Sequence, residues 1–475
     1  MLFCSISFMM FFAVLLGVYW SLPWQRARVW LLVAASFYFY ATWNKWLAIV
    51  LCISTFIDYI LALGIEQSIS SGRRKILLCI SLFANLGLLC YFKYANFFLL
   101  SLDEVLIAAG SPGWFRSLQV IVPVGISFYT FEAINYMVDV YRGRIRAERN
   151  LGDFLLFILF FPHLVAGPIV RARDFLPQIK RPKHCDWVRL HLGLQYFLMG
   201  LFKKLAIADR MALFADPVYD HALNYSTGSA WIAVFAYAMQ VYCDFSGYTD
   251  MAIGTAHMLG YKLAENFNMP FLAANISEFW NRWHISLSSW LRDYLFIPLG
   301  GSRGGELKTR RNLLITMTLC GLWHGAAWPF VGFGFLQGWM LIAHRSFHRW
   351  CKHKPRLDAV LRSHLGTLFR IAFTFLCFCL SLVVFRSGSF SHAFEMYTRL
   401  MIAAPNARPP EVPEFGFWLT VGIMLIAHVL GRSGIWIRPT LRLPAPVLGF
   451  SYAILFGLAL LLEPQGAKPF IYFNF

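Results

Sequence analysis

The chain has 475 residues, of which 58% are hydrophobic and only 14% charged, and its mean hydropathy of +0.57 excludes an ordinary soluble globular protein. The formal net charge of +18 would suit a nucleic-acid-binding protein. However, lysine and arginine are concentrated in alternate connections between apolar runs, as the positive-inside rule expects of a membrane protein. We therefore expect the lipid bilayer, and no nucleic acid, as a partner.

The apolar runs predict an all-α polytopic membrane protein that forms a single membrane domain, Met1–Phe475. Each approaches the length of about twenty residues that crosses a bilayer, and together they indicate roughly 11 to 13 transmembrane helices. The runs are residues 8–20, 30–43, 46–65, 76–97, 120–138, 231–242, 313–330, 369–385, 415–430 and 447–462.

The ends of the chain and its basic connections predict a topology. No lysine or arginine precedes the first run and no small-residue cleavage site follows it, which predicts a retained span rather than a signal peptide. We expect the basic connections in the cytoplasm and both termini on the other side of the membrane. The basic connections are residues 26–28, 73–75, 142–149, 171–189, 303–311, 344–362 and 432–442.

Residues 151–189 do not fit a simple span. The stretch "FLLFILFFPHLVAGPIVRARDF" begins as a helix, but Pro162 and Pro168 interrupt it before a strongly basic connection. If the basic connections on both sides are cytoplasmic, the segment must enter the membrane and return. Such a re-entrant segment requires protein or a water-filled cavity around its freed backbone groups, so we expect an internal cavity nearby.

The stretch "QVYCDFSGYTDMAIG", residues 240–254, places Asp244, Ser246 and Asp250 in an expected span. Polar side chains at such positions either line a pathway or hold helices together. The sequence leaves both interpretations open.

Residues 266–311 contain a predicted amphipathic helix, with Asn275 or Ser277 as its N-cap. On its helical wheel His284 lies beside Trp280, at the edge of the apolar sector. We expect the imidazole to point into the protein or the membrane. An interfacial anchor is the simpler alternative to a functional role.

The stretch "TLCGLWHGAAWPF" places His324 inside an apolar run. An ionisable side chain in a span is costly and suggests a function, although a buried histidine bonded to a carbonyl would have the same pattern. The small residues Gly325, Ala326 and Ala327 would let a substrate or a neighbouring helix approach the imidazole.

Three further histidines follow in "HRSFHRWCKHKPR". His344, His348 and His353 have a partly metal-like spacing but lie among lysines and arginines, so we predict a solvated cytoplasmic loop. The ten cysteines form no CxxC pair, and no P-loop or dinucleotide motif is present. We expect neither a metal site nor a bound cofactor.

Four stretches together resemble the membrane-bound O-acyltransferase (MBOAT) family, in particular the bacterial branch of alginate O-acetyltransferases and teichoic-acid D-alanyl transferases. They are "FFPHLVAGPIVR", "YCDFSGYTDMAIG", "ENFNMPFLAANISEFWNRWHISLSSWLRDYLFIPLGG" and "CGLWHGAAWPFVGFG", and they cover residues 160–334. The resemblance implies an MBOAT-type bundle around a central tunnel. It also implies that His324 of "LWHG" is the principal catalytic residue and that His284 is the second histidine.

The resemblance leads to a hypothesis for the mechanism. His324 would take the proton of an acceptor hydroxyl as a general base, and His284 would orient the donor or stabilise the tetrahedral intermediate. The candidate substrate-binding or tunnel residues are Asn281, Trp283, Trp323, Asp244, Ser246 and Asp250.

We therefore predict an O-acetyltransferase of the bacterial inner membrane. It would take acetyl groups from acetyl-CoA in the cytoplasm and pass them across the membrane to an exported polysaccharide such as alginate or cellulose, with the help of periplasmic transfer proteins. Peptidoglycan or another cell-wall polymer is the alternative acceptor. A transporter, for which we find no internal repeat, and a scaffold of an export complex are the alternatives from other classes.

Overall fold

The computed structural model describes residues 1–403, 407–409, 412–433, 443–464 and 469–471. Within these ranges all the regular secondary structure is helical, apart from one isolated bridge between Tyr225 and Arg408, which confirms the all-α prediction. The chain divides into two compact units. Unit 1 is Met1–Phe197 with Met251–Ala264, and unit 2 is Leu198–Asp250 with Glu265–Phe475.

Unit 1 contains the first nine α-helices and a π-helical turn, Cys90–Tyr94, between the fourth and the fifth. The helices are α1 Ile6–Ser21, α2 Gln25–Ala41, α3 Lys45–Gln67, α4 Ser71–Leu89, α5 Ala95–Ala108, α6 Ile126–Tyr141, α7 Leu151–Leu159, α8 Phe161–Leu164 and α9 Ala172–Lys180. Helix α10, Trp187–Phe202, begins in unit 1 and ends in unit 2.

Unit 2 contains the remaining helices, of which the long α12 returns the chain to unit 1. They are α11 Asp209–Asp220, α12 Thr227–Met258, α13 Ile276–Arg282, α14 Ile285–Leu291, α15 Glu306–His324, α16 Trp328–Cys351, α17 Pro355–Arg362, α18 His364–Arg386, α19 Phe390–Met401, α20 Glu414–Ser433 and α21 Ala445–Leu461. Shorter turns are the π-helices Lys203–Ala208 and Arg292–Phe296 and the 3-10 helices Ala222–Asn224 and Pro270–Leu272.

Four helical stretches among the described residues are long and apolar enough to cross a membrane. They are Lys45–Gln67, Ser71–Ala108, His364–Arg386 and Glu414–Ser433, and α1 and α21 are shorter apolar helices. The polytopic membrane architecture is confirmed, whereas the number of roughly 11 to 13 spans stays a prediction. The last basic connection lies outside the described residues from position 434 onward.

The segment 151–189 is broken where its sequence predicts. Helix α7 ends at Leu159, and Pro162 lies in the first turn of the four-residue α8. In unit 1 the buried Glu132 accepts a hydrogen bond from the backbone N–H of Val170 at 2.8 Å and lies 3.0 Å from Nδ1 of His163. A side chain therefore satisfies backbone beyond the break, as an irregular segment in a membrane requires. Re-entry itself stays a prediction.

The predicted amphipathic helix in 266–311 is divided in two. Asn275 caps its start by accepting from the backbone N–H of Glu278 at 2.8 Å, as predicted. However, α13 ends at Arg282, and His284 has a left-handed backbone with φ 44° before α14 begins. A helical wheel assumes a continuous helix, so it could not predict this break.

Candidate active site

His284 is held at the break between α13 and α14 and is fully buried. Its Nδ1 lies 3.4 Å from Oδ1 of Asn266, and this oxygen also accepts from the backbone N–H of Ser286 at 3.1 Å and from its hydroxyl at 2.7 Å. The backbone carbonyl of Asn266 accepts from the N–H of Ile285 at 2.9 Å. Positive φ in a non-glycine residue is uncommon and persists where surrounding contacts enforce it, often at functional sites. Asn266 supplies those contacts.

His324 is the last residue of α15 and is buried. The apolar run 313–330 is therefore not one continuous helix, because the chain turns at Gly325–Ala327 before α16. Nε2 of His324 lies 3.9 Å from Sγ of Cys320, one helical turn earlier. The ring of Phe385 lies 5.4 Å from the imidazole, between ring centroids.

Trp323 brings the two histidines into one cluster. Its ring centroid lies 5.1 Å from that of His324 and 5.9 Å from that of His284. The ring of Phe245 covers the other imidazole edge-on, with its centroid 4.6 Å from that of His284. We call His284, Trp323, His324 and Phe245 the histidine cluster. Aromatic walls of this kind keep water out and strengthen electrostatic interactions inside.

The glycines around His324 serve helix packing. A Cβ atom on Gly321 would lie 2.8 Å from Cα of Gly334, so α15 and α16 meet without side chains at this point. A Cβ on Gly325 would collide with the ring of Phe330. Of the two sequence interpretations, the structure favours close packing over substrate clearance for Gly325. Ala327, in contrast, lines a cavity.

Asn281 and Trp283 lie at the C-terminal end of α13, directly before His284. Trp283 is buried against Phe279 and Phe378, with ring centroids 5.5 Å and 5.2 Å away. Asn281 is exposed and lines a different groove, of about 290 Å³, with Ser288. The structure therefore brings Trp323 together with both histidines but places Asn281 elsewhere.

The polar residues of α12 are held by lysines. Nζ of the buried Lys204 lies 2.8 Å from carboxylate oxygens of both Asp209 and Asp244, and Nζ of Lys203 lies 2.6 Å from Asp250. These five residues form what we call the lysine–aspartate cluster. Ser246 is buried on the same helix.

Two further features complete the surroundings of this cluster. A Cβ on Gly247 would lie 2.7 Å from the carbonyl oxygen of Gly200, so only glycine lets the lysine-bearing segment approach α12 so closely. The backbone N–H of Ile471 donates to Asp244 at 2.7 Å.

A cavity of about 310 Å³ is lined by Lys204, Asp209 and Asp244 of the lysine–aspartate cluster and by Phe385, whose ring packs against His324. The guanidinium-bearing Arg386, which follows Phe385 in the chain, also lines it. It contains both charged groups and apolar surface, a combination that suits a hydroxyl-rich ligand. Among the described residues, no group of three His, Cys, Asp or Glu side chains is arranged to hold a metal ion.

Sequence reasoning missed Asn266, Phe245, Phe385 and Lys204. Lys203 and Lys204 are two consecutive lysines within the apolar stretch "FLMGLFKKLAIA". This signal could have identified partners for the acidic residues of α12. Asn266 and the two phenylalanines carry no comparable signal.

Comparisons with known proteins relate this arrangement to a family. The model of the MBOAT, membrane-bound O-acyltransferase family matches residues 30–387. A probable alginate O-acetylase, AlgI, of Azotobacter vinelandii is 36% identical over 529 aligned residues that cover all of both chains. A peptidoglycan O-acetyltransferase of Helicobacter pylori is 40% identical over 67% of this chain and 64% of its own. A teichoic acid D-alanyltransferase of Bacillus subtilis is 30% identical over 57% and 70%, respectively.

The matched region contains the whole histidine cluster. The prediction of a membrane O-acyltransferase is thereby confirmed, in preference to a transporter or a scaffold. The chain belongs to the membrane-bound O-acyltransferase family.

Proposed function

We propose that this protein moves acetyl groups from a cytoplasmic thioester donor, acetyl-CoA, to hydroxyl groups of an exported polysaccharide such as alginate or cellulose. The observation that carries the proposal is the pair of buried histidines joined by Trp323 within the family-matched region. The names of the A. vinelandii and H. pylori relatives favour acetyl as the transferred group.

His324 acts as the general base. The acceptor oxygen attacks the thioester carbonyl carbon, a C–O bond forms and the C–S bond breaks. The imidazole takes the hydroxyl proton and returns it to the leaving thiolate. Imidazole suits this role because its ordinary pKa lies near neutral pH, and such catalysis contributes about two to four powers of ten in rate.

His284 orients a reactant. Oδ1 of Asn266 receives the N–H of Ser286, so the atom beside the imidazole is an oxygen and can only accept. Nδ1 of His284 therefore carries a proton, and in the neutral ring Nε2 is the acceptor. We infer that Nε2 accepts a hydrogen bond from an amide or hydroxyl of a substrate. The alternative role, oxyanion stabilisation, would require a protonated imidazolium.

The cavity beside Phe385 is the proposed approach for the acceptor. Its lining of Lys204, Asp244 and Arg386 can exchange hydrogen bonds with sugar hydroxyls. We place the protein in the bacterial inner membrane with its basic connections in the cytoplasm and both termini in the periplasm. Periplasmic partner proteins assist this transfer to the polymer.

Peptidoglycan is the second candidate acceptor. It is favoured by the H. pylori relative, whose printed name states that activity. Acetyl ester measured separately in the exopolysaccharide and in the cell wall of producing and deletion strains distinguishes the two.

The decisive test uses purified protein, labelled acetyl-CoA and a soluble oligosaccharide. We expect His324→Ala to lose about two to four powers of ten in transfer rate at normal protein yield. His257→Gln is the matched control, because this half-buried histidine stacks on Tyr196 in unit 1 and should leave transfer unchanged. Normal transfer by His324→Ala would refute the assignment. A wild-type protein that transfers no acetyl group to the oligosaccharide would refute direct transfer from acetyl-CoA to a sugar hydroxyl.

A further inference from the structure

A second cavity in unit 2, of about 720 Å³, lies among α16, α17, α18 and the start of α13. Its apolar lining comes from aromatic, aliphatic and sulfur-containing side chains: Trp339, Met340, Ala343, Phe347, Phe373 and Cys377. Its charged or titratable lining includes His344, His348, Arg362, Arg370 and the carboxylate of Asp358. The cavity is thus an apolar groove with cationic or titratable groups gathered along it.

His344 and His348 belong to a helix and not to the loop that the sequence suggests, because α16 continues to Cys351, whereas His353 lies in the exposed turn that follows. His344 and His348 are one turn apart with their rings stacked, 6.2 Å between centroids, and both line the groove. We call this cavity with its basic groups the basic groove.

The adjacent face of α16, which carries Arg345 and Arg349, is already neutralised. Glu306 of α15 lies 3.2 Å from Nε of Arg345 and 2.7 Å from an Nη atom of Arg349. Desolvation alone would raise the pKa of Glu306, but hydrogen bonds from Arg345 and Arg310 outweigh it, so the pKa is lowered. The arginines of that face therefore have a carboxylate partner.

Arg370 of α18 differs from them. One of its Nη atoms donates to Thr367 at 3.3 Å, while its buried Nε has no hydrogen-bond partner among the described residues. A buried guanidinium donor is stabilised by an anion that accepts two parallel hydrogen bonds. Arg362, on the same groove, is balanced by Asp358 at 2.8 Å. Arg370 with the two histidines is thus the part of the groove that complements an anionic group.

The rim of the groove has the composition of a membrane interface. Trp339 is 58% exposed and Phe373 56%, while Trp350 and Phe369 nearby in the sequence are 51% and 66% exposed. Exposed tryptophan next to arginine and lysine is typical of the level of lipid headgroups. An amphiphile with an anionic head at this level would reach the apolar lining with its tail.

We propose that the basic groove binds one anionic phospholipid. Its phosphate contacts Arg370, His344 and His348, and one acyl chain packs against Met340, Phe373 and their apolar neighbours. The apolar lining distinguishes this ligand from a free phosphate, which would gain nothing from it. None of these residues belongs to the histidine cluster, so the proposal is independent of the acetyl-transfer mechanism.

The test is native mass spectrometry of the purified full chain with phosphatidylglycerol or phosphatidylcholine of identical acyl chains. We expect a phosphatidylglycerol adduct that falls about tenfold in the double variant Arg370→Gln/His348→Gln, since hydrogen bonds to a charged group are lost. Arg345→Gln, on the neutralised face of α16, is the matched control and should keep the adduct.

A second variant distinguishes loss of the lipid site from misfolding of the double variant. Ala343→Phe fills the groove and leaves every basic side chain in place, so it should also remove the adduct. Retention of the phosphatidylglycerol adduct in both variants would overturn the proposal. Equal binding of phosphatidylcholine, or displacement of the lipid by coenzyme A, would overturn it too, because the groove would then lack anion selectivity or hold the phosphates of the donor.

Discussion

The histidine cluster and the lysine–aspartate cluster are both buried polar sites of unit 2, yet they are stabilised in opposite ways. Lys204 lies between two carboxylates at 2.8 Å, and Lys203 lies 2.6 Å from a third. Around His324 the structure places Trp323, Phe385 and the thiol of Cys320. Charges balanced by counter-charges hold helices together, whereas a titratable ring among aromatic walls is suited to exchange protons with a substrate.

This comparison bears on whether the polar side chains of α12 line a pathway or hold helices together. Asp244 and Asp250 each have a lysine partner, which favours helix attachment over a pathway for these two side chains. Asp244 still lines the cavity that reaches Phe385. Its carboxylate can therefore serve both purposes, with the ion pair setting its position.

The largest effect is expected on stability, from Lys204→Met. This change leaves Asp209 and Asp244 buried without their cation, and breaking a buried ion pair costs about 3–5 kcal/mol of folding free energy. We expect a lower unfolding midpoint in detergent and less protein in the membrane. The kcat per folded molecule should remain close to that of the wild type, whereas KM for the acceptor should rise because Lys204 lines the proposed acceptor cavity.

A triple variant provides the control. Lys204→Met with Asp209→Asn and Asp244→Asn removes the uncompensated charge and should recover most of the lost stability. A Lys204→Met protein with a normal unfolding midpoint but no transfer would contradict the comparison, since the lysine would then be part of the chemistry.

A smaller effect, on activity, is expected from Asn266→Ala. The variant loses the oxygen that holds Nδ1 of His284 and both polar atoms of Ser286. A misplaced imidazole should lower kcat about ten- to a hundredfold, which corresponds to one or two hydrogen bonds, with a smaller change in KM. The decrease in kcat should not exceed the decrease caused by His284→Gln.

Asn266→Asp separates positioning from simple destabilisation. It keeps an acceptor oxygen and should recover part of the rate. Its carboxylate favours the imidazolium, so the basic group should titrate at higher pH in the pH–rate profile. An Asn266→Ala enzyme with wild-type kcat would remove Asn266 from the mechanism.

The sequence predicts local features well and long-range pairs poorly. The cap at Asn275 and the interruption near Pro162 follow from local residue preferences, and the structure contains both. The partner of Asp250 lies 47 residues earlier in the chain, and only tertiary packing identifies it.

The same limit applies to the candidate site. Apolar context and the family motif singled out His284 and His324, but not the left-handed backbone that places the first of them. That conformation depends on Asn266, which lies 18 residues before His284 and accepts hydrogen bonds from the backbone of Ile285 and Ser286. Helical periodicity contains no information about such a break.

The smallest effect is expected from Cys320→Ala, and it sharpens the comparison most directly. The Cys320 thiol lies 3.9 Å from Nε2 of His324, a geometry that would also suit a nucleophile beside its base. In direct transfer to a hydroxyl the thiol makes only a weak hydrogen bond, so its removal should change the rate by no more than about threefold.

A covalent route predicts the opposite. Transfer would be lost in Cys320→Ala, and the wild-type chain would carry an acetyl thioester when acetyl-CoA is supplied without acceptor. Intact-mass measurement of the wild type and of His324→Ala under those conditions decides between them. Absence of the acetyl adduct in both proteins, together with an active Cys320→Ala enzyme, would leave His324 as the base that acts on the acceptor itself.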